Sequence, residues 1–331
     1  MPRYGFNFLW MFIWQEGQEA PPADERALDF LAAHGLDFVR VPTDYRHWVR
    51  DHRYFELDEP GLAKIDAYLH ACSSRGLHMS LNLHRAAGYC INRPEIEPHN
   101  LWTDEVAQDA FVFQWESFAR RYKGISSDRL SFDLLNEPPN EGQRGFTREI
   151  HERLMRRTVA AIRSVDPGRE IVLDGLGGGH LAMPELADLG VVHSGRGYQP
   201  MPVSHFEAKW WSGHVGLTSP IYPGTPWEGL TWDKETLREF YVPWRAVEDQ
   251  GNRIHIGEFG CYARTPNDVA LKWLGDLFAL YREFRWGYAL WNFEGPFGIV
   301  DHGRPGARFE DVMGYSVDRE LFDLFLDGRA N

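Results

Sequence analysis

Apolar and polar residues along this chain follow two different periods. Short apolar runs of the strand kind fall at residues 4–8, 37–41, 78–83, 130–135, 170–173, 191–198, 253–257 and 286–291. Between most of them lie longer stretches whose apolar residues recur at helical spacing, as in Leu62, Ile65, Leu69 and Cys72, or Val106, Ala110, Phe113 and Phe118. The helical stretches carry start and stop signals. Pro22-Ala23-Asp24 opens the first, which runs to about His34 before Gly35; Pro60 opens the second, which ends at Gly76; Thr103 is placed to cap the third. The fourth, 146–165, ends in the turn sequence Asp166-Pro167-Gly168, and later helices are expected at 234–249, 267–284 and 318–326. Strand and helix patterns alternating eight times predict α/β architecture with a closed parallel sheet, a (β/α)8 TIM barrel, and 331 residues suit one such domain spanning 1–331.

Two connections stand out. The run Gly175-Leu176-Gly177-Gly178-Gly179 after the fifth strand reads as a flexible link. Residues 199–232, after the sixth, hold five prolines (Pro200, Pro202, Pro220, Pro223, Pro226) together with Trp210, Trp211, Trp227 and Trp232. That composition predicts a long irregular loop, and loops of this length in compact domains usually serve function.

Composition narrows the class. With 43% hydrophobic and 25% charged residues the chain is of the globular type, and no apolar run approaches the 18 residues or more of a membrane span. The net charge of −13 disfavours nucleic acid and anionic lipid as partners, since both need a basic surface, and a neutral ligand fits better. Aromatic residues make up 14% of the chain and include 13 Trp, whose faces pack against sugar rings, although large cores use Trp as well. Cys72, Cys90 and Cys261 are an odd number without ligand spacing, so neither a disulfide framework nor a zinc site is expected, and Cys72 and Cys261 read as small buried hydrophobes. Strand-like residues begin at Tyr4 and leave no room for a leader, so the sequence as it stands reads as cytoplasmic, or as secreted if a leader has been removed.

In a barrel of this kind chemistry sits at the carboxyl ends of the strands. Arg40 ends the second apolar run, His84 follows the third, Asn136 and Glu137 follow the fourth, Tyr198 ends the sixth, Glu258 follows the seventh and Trp291 ends the eighth. Singly, a strand-end Arg is most often a solvated charge and a lone Trp most often core. Seven polar or aromatic residues at one end are harder to obtain from packing. Glu137 and Glu258 matter most, because cleaving a glycosidic bond takes two carboxyl groups, one to protonate the leaving oxygen and one as nucleophile or base. One must be ionised and the other protonated at the same pH, which a cation near the first and a drier setting near the second would arrange. Metal chemistry is disfavoured: His78 and His84 stand roughly 20 Å apart on one strand, and neither His-x-His nor His-Glu-x-x-His occurs. No cofactor is implied.

Five motifs taken together, Phe38-Val39-Arg40-Val41-Pro42, Leu81-Asn82-Leu83-His84, Leu135-Asn136-Glu137-Pro138, Gly257-Glu258-Phe259-Gly260 and Trp291-Asn292-Phe293-Glu294-Gly295-Pro296-Phe297-Gly298-Ile299-Val300-Asp301, occur in order at the second, third, fourth, seventh and eighth predicted strands. In this the chain resembles glycoside hydrolase family five, the cellulase and β-mannanase family, over essentially its whole length. The resemblance implies a retaining hydrolase of β-linked glucan or mannan, endo-β-1,4-glucanase-like, with Glu137 as general acid and base and Glu258 as nucleophile. It further implies that Arg40 and Tyr198 hold Glu258, that Asn136 binds the sugar 2-hydroxyl and that Trp291 floors the subsite of the reacting ring. An exo-acting β-mannosidase or β-glucosidase of the same family is the alternative; a sugar-binding barrel without activity is the alternative of another class. One departure bears on the last. The family usually has His-x-Tyr after the sixth strand, and here the sequence is Arg196-Gly197-Tyr198. An Arg beside Glu137 would work against a proton donor, so Arg196 is expected to point elsewhere, or other neighbours tune the acid. His193 takes the vacant role only if a bulge resets the strand.

Overall fold

The computed structural model describes residues 1–92 and 96–330. Eight strands, β1 (Tyr4–Asn7), β2 (Phe38–Asp44), β3 (His78–Ala86), β4 (Leu130–Asp133), β5 (Glu170–Asp174), β6 (Val192–Gly197), β7 (Arg253–Phe259) and β8 (Gly287–Leu290), form one sheet ordered β2-β1-β8-β7-β6-β5-β4-β3. A β2–β3 pairing closes it into the expected (β/α)8 barrel. The helices are α1 (Glu25–Ala33), α2 (Glu59–Ser73), α3 (Glu105–Arg121), α4 (Arg148–Val165), α5 (Lys234–Phe240), α6 (Val242–Glu248), α7 (Asn267–Phe284) and α8 (Arg319–Asp327). Between β5 and β6 the connection holds a four-residue helical turn, Leu176–Gly179, and a six-residue 3-10 turn, Pro184–Leu189, in place of a long α-helix. None of the described helices is long and apolar enough to cross a membrane. By its contacts the chain groups into two compact units, one of residues 8–195 with 247–253 and one of residues 1–7, 196–246 and 254–331.

In the unit that holds Glu137, β2 runs three residues past the expected end at Val41, so Arg40 sits inside the strand and not at its tip. Pro42 lacks an N–H, yet the strand runs through it. Arg40 O accepts from Phe8 N (2.9 Å) and Asp44 N donates to Met11 O (2.8 Å), so even-numbered residues turn their backbone groups to that side. The continuous ladder is on the other side, where β2 stays in register with β3 from Phe38 opposite His78 to Thr43 opposite Leu83. β3 likewise extends past Leu83 and turns back into the short antiparallel strand Tyr89–Cys90. Helix starts follow the sequence signals in part. Asp24 caps α1 by accepting from Ala27 N at 3.0 Å, whereas α3 starts after Asp104 and not Thr103, and the Asp104 carboxylate binds Asn100 N (2.8 Å) and the Thr103 hydroxyl (2.9 Å) in the loop before it. Trp115 packs on Phe132 (5.2 Å between ring centres) and Trp48 on Phe118 (5.4 Å), filling the space between β4 and the helices.

In the unit that holds Glu258, β1 pairs with β8, and β8 with β7. The β7–β8 register shifts between Ile256 and Phe259, a bulge that contains Gly257 and Glu258. Asn7 ties the three strands together there, its amide donating to Gly257 O (3.0 Å) and Leu290 O (3.3 Å). The helix expected at 234–249 is broken at Tyr241, because Pro243 has no N–H to donate and its ring collides with the carbonyl four residues back. The loop expected at 199–232 contains a hairpin, Thr225–Trp227 with Leu230–Trp232. Glu228 (φ 50°) and Gly229 (φ 77°) form its turn, both left-handed as the tight hairpin turn demands. Behind β7 and β8 the core is aromatic: Phe6 stacks on Phe325 at 4.7 Å, and Phe259, Phe278 and Tyr288 meet edge-on or tilted.

The Trp excess goes mainly to packing. Trp10, Trp48, Trp102, Trp115, Trp232, Trp244, Trp273 and Trp286 are buried, which leaves Trp14, Trp210, Trp211, Trp227 and Trp291 with accessible faces. Cys72, Cys90 and Cys261 are free and buried, and burial pushes the Cys72 thiol up to about 12 and that of Cys90 up to about 11.

Candidate active site

Around Glu137, two neighbouring strand ends supply a network of buried charge. Arg40 is 1% exposed; its Nε donates to Asp133 Oδ2 at 2.6 Å and its Nη2 to Asn136 Oδ1 at 3.0 Å and to Asp174 Oδ2 at 3.4 Å. Asp174, the last residue of β5, also accepts from the Glu137 backbone N–H at 3.2 Å. Glu137 itself has φ 48°, a left-handed conformation that costs a non-glycine residue about 1–3 kcal/mol and is held by what surrounds it. Its carbonyl accepts from the Tyr89 hydroxyl at 2.6 Å, and the next two carbonyls, of Pro138 and Pro139, accept from Gly178 N (3.0 Å) and Gly177 N (3.3 Å). The glycine run after β5 is thus not a loose link. It forms a turn with Gly177 and Gly178 at φ 62° and 71°, a conformation glycine adopts without a steric cost, and that turn braces the chain after Glu137. His84 is buried beside the ring of Phe12 (4.5 Å), and the Asn92 amide donates to its Nε2 at 3.2 Å.

Around Glu258, the bulge in β7 sets the carboxylate, which is 3% exposed, against two donors of β6 and the residue after it. Arg196 Nη2 lies 3.2 Å from Oε1, and the Tyr198 hydroxyl donates to Oε2, also at 3.2 Å. Each oxygen therefore has its own donor. Arg196 points to Glu258, which answers the question raised by the missing histidine, and Tyr241 donates to the Arg196 carbonyl at 3.3 Å. His193 does not move into the vacant role: β6 keeps its register with β5 through Leu173 opposite His193, without a bulge, and both ring nitrogens of this buried side chain lack a partner. Burial pushes its pKa down to about 4. Trp291 follows β8 and is partly exposed; its N–H donates to Phe259 O at 2.8 Å, and its peptide bond to Asn292 is cis. Gly260 is needed opposite it, since a Cβ there would stand 2.8 Å from the Trp291 carbonyl oxygen.

Aromatic rings of the long loop continue from Tyr198. His205 packs edge-on to Tyr198 (5.1 Å) and on Phe297 (5.4 Å), and Trp210, 61% exposed, meets Tyr262 at 4.8 Å. Trp232 is 3% exposed with its indole N–H on Trp227 O (3.1 Å), so it belongs to the packing of the loop. Trp210→Ala should lower kcat/KM on oligosaccharides of four or more sugars by about 3- to 10-fold, the value of one aromatic contact, with less than about 2-fold change on a small aryl glycoside. Trp232→Ala should lower the melting temperature and leave that length preference unchanged. Equal loss of Trp210→Ala on short and long substrates would place Trp210 outside the sugar path.

Sequence reasoning passed over Asp133 and Asp174, although each is a carboxylate ending an apolar strand, the signal that drew attention to Glu258. For Arg196 it left two outcomes open and did not name Glu258 as the partner, because a linear motif says which residue departs from a pattern and not which carboxylate it meets.

The closed (β/α)8 barrel, with buried carboxylates at its strand ends, and the family match together make this a glycoside hydrolase of the TIM-barrel class. The sequence model of the family "Cellulase (glycosyl hydrolase family 5)" matches residues 4–295, and the chain belongs to that family. Endoglucanase C of Acetivibrio thermocellus is 28% identical over 300 residues, covering 82% of this chain and 83% of its own length. Cellodextrinase A of Ruminococcus flavefaciens is 28% identical over 262 residues, covering 75% and 72%. A crystal structure of a glycoside hydrolase superposes with a TM-score of 0.99 at 61% identity and covers 100% of both chains.

Proposed function

We propose that this hydrolase acts on β-linked glucan or mannan chains, endo-β-1,4-glucanase-like, by double displacement with retention. Glu258 is the nucleophile and Glu137 the general acid and base; Asn136 meets the 2-hydroxyl, and Trp291 lies under the reacting ring. The observation that carries the reading is the Glu258 carboxylate, bound on one oxygen by Arg196 and on the other by Tyr198. Two donors fix the plane of the carboxylate for attack and partly offset the cost of burying its charge. Arg40 serves this scheme through Asp133, Asn136 and Asp174, shaping the Glu137 side, with Arg196 as the cation on the nucleophile. The similarity to an endoglucanase and to a cellodextrinase supports β-1,4-glucan, long or short, as the substrate.

Proton NMR of the first product released from a β-glycoside tests the mechanism. Retention needs carboxyl groups about 5–5.5 Å apart and no water between nucleophile and sugar. The β anomer should appear first and mutarotate later, and an added alcohol should be glycosylated with the same configuration. Release of the α anomer first would mean inversion, with the groups about 6.5–9.5 Å apart, and would remove the nucleophile assignment. Product sizes over time separate the substrates: a spread of oligosaccharides from polymer marks endo action, and single sugars or disaccharides from the outset mark exo action.

A further inference from the structure

We propose that Asp174 and Tyr89 are positioning residues that clamp the Glu137 backbone from its two sides and so aim the general acid. The proposal rests on the reading of Glu137 given above and adds to it the parts that hold Glu137 in place.

The peptide groups of Glu137 are held by side chains and not by a strand ladder. β4 ends at Asp133, and Glu137 lies four residues on, in the left-handed conformation. The chain just before it is tied to both neighbouring strands, Leu134 N to Val172 O (3.1 Å) and Asn136 N to Leu83 O (3.1 Å), and past that point a small rotation about the Glu137 backbone swings the carboxyl by ångströms. Asp174 Oδ2 takes its N–H at 3.2 Å and the Tyr89 hydroxyl gives its proton to its C=O at 2.6 Å. Both supports are rigid. Asp174 is 2% exposed and ends β5; Tyr89 is 1% exposed, in the strand that folds back on β3. Burial above all holds the Tyr89 phenol far above its ordinary pKa, so it stays a donor.

Charge balance alone does not account for Asp174. Arg40 already has Asp133 at 2.6 Å, and Asp174 is its longer contact at 3.4 Å. A second buried carboxylate beside one guanidinium is costly unless it does something that the first does not. Asp174 Oδ2 also accepts from the Glu137 N–H, which ties this carboxylate to the acid's own backbone.

The test compares two β-cellobiosides on the full-length chain, one with a phenyl leaving group that needs protonation and one with 2,4-dinitrophenol, which does not. Asp174→Ala should lower kcat on the first about 100-fold, the lower end of what general acid catalysis supplies, and on the second less than about 3-fold, with KM little changed. Asp174→Asn should restore most of the loss, because its amide oxygen accepts the same N–H. Tyr89→Phe should show the same selectivity with a smaller loss. Equal losses on both substrates, or Asn failing to rescue, would make Asp174 a counter-ion of Arg40 and overturn the clamp. If Asp174→Ala does not fold, Tyr89→Phe decides: selective loss upholds the clamp, and an unselective or absent loss overturns it. Glu137→Gln, measured alongside, separates this from the underlying reading. If it cleaves the phenyl glycoside at the unaltered rate, Glu137 is not the acid and the clamp falls with it; if it loses only that substrate while Asp174→Ala loses both, the clamp alone falls.

Discussion

Glu258→Gln should lower turnover by roughly 10⁴-fold or more on every substrate if Glu258 is the nucleophile proposed above, because an amide cannot form the covalent intermediate. Glu137→Gln should behave differently. On a substrate with a poor leaving group it should lose about 10²- to 10⁴-fold, the contribution of a general acid. On the 2,4-dinitrophenyl glycoside it should still form the glycosyl-enzyme and release a burst of dinitrophenol, followed by a slow steady state, since the same side chain is then missing as the base for water. Stopped-flow absorbance reads both phases. Melting curves should show both variants folded, because the exchanges are nearly isosteric. A burst from Glu258→Gln, or equal losses for the two variants on the activated substrate, would exchange or abolish the assigned roles.

Arg196→Met should be strongly destabilising. Arg196 is fully buried and Glu258 is 3% exposed, so removing the guanidinium leaves a carboxylate out of water with the Tyr198 hydroxyl as its remaining donor on β6 and its extension. Breaking a buried pair in this way costs about 3–5 kcal/mol, read as the drop in unfolding free energy in denaturant titration. The double variant Arg196→Met, Glu258→Gln should recover a large part of that loss, because no charge is then stranded. Arg196→Lys should recover little, since an ammonium cannot reproduce the planar reach of the guanidinium. A cost below about 1 kcal/mol for Arg196→Met would be the value of a solvent-exposed pair and would mean that water reaches Glu258.

The barrel was legible because it rests on local regularities that survive in one dimension. Apolar runs of strand length, helical spacings such as Leu62, Ile65, Leu69 and Cys72, and turn sequences such as Asp166-Pro167-Gly168 each report a backbone preference of their own neighbourhood. The strand-end carboxylates were legible for the same reason: Glu258 follows an apolar run and precedes a Phe-Gly, and Asn136-Glu137-Pro138 follows another. β2 runs past its expected end because Pro42, which has no N–H to donate, turns that missing group away from the continuous β2–β3 ladder, and which side carries the ladder depends on the neighbouring strand.

Partners are a property of the fold. The sequence shows Arg40 and Arg196 as two arginines at strand ends. Which of them meets Asp133 and Asp174 and which meets Glu258 follows from strand order and from a one-residue bulge at Gly257-Glu258. The division among tryptophans is of the same kind, since Trp210 and Trp232 stand in one stretch of similar composition, and only the hairpin that buries Trp232 and the rings that carry Trp210 outward tell them apart. By itself the sequence determined the periods of the chain, and with them the barrel and the residues at its strand ends. The tertiary structure decided the pairing of those residues, because a hydrogen bond between residues 60 or more positions apart depends on register, and register is set only when strands meet.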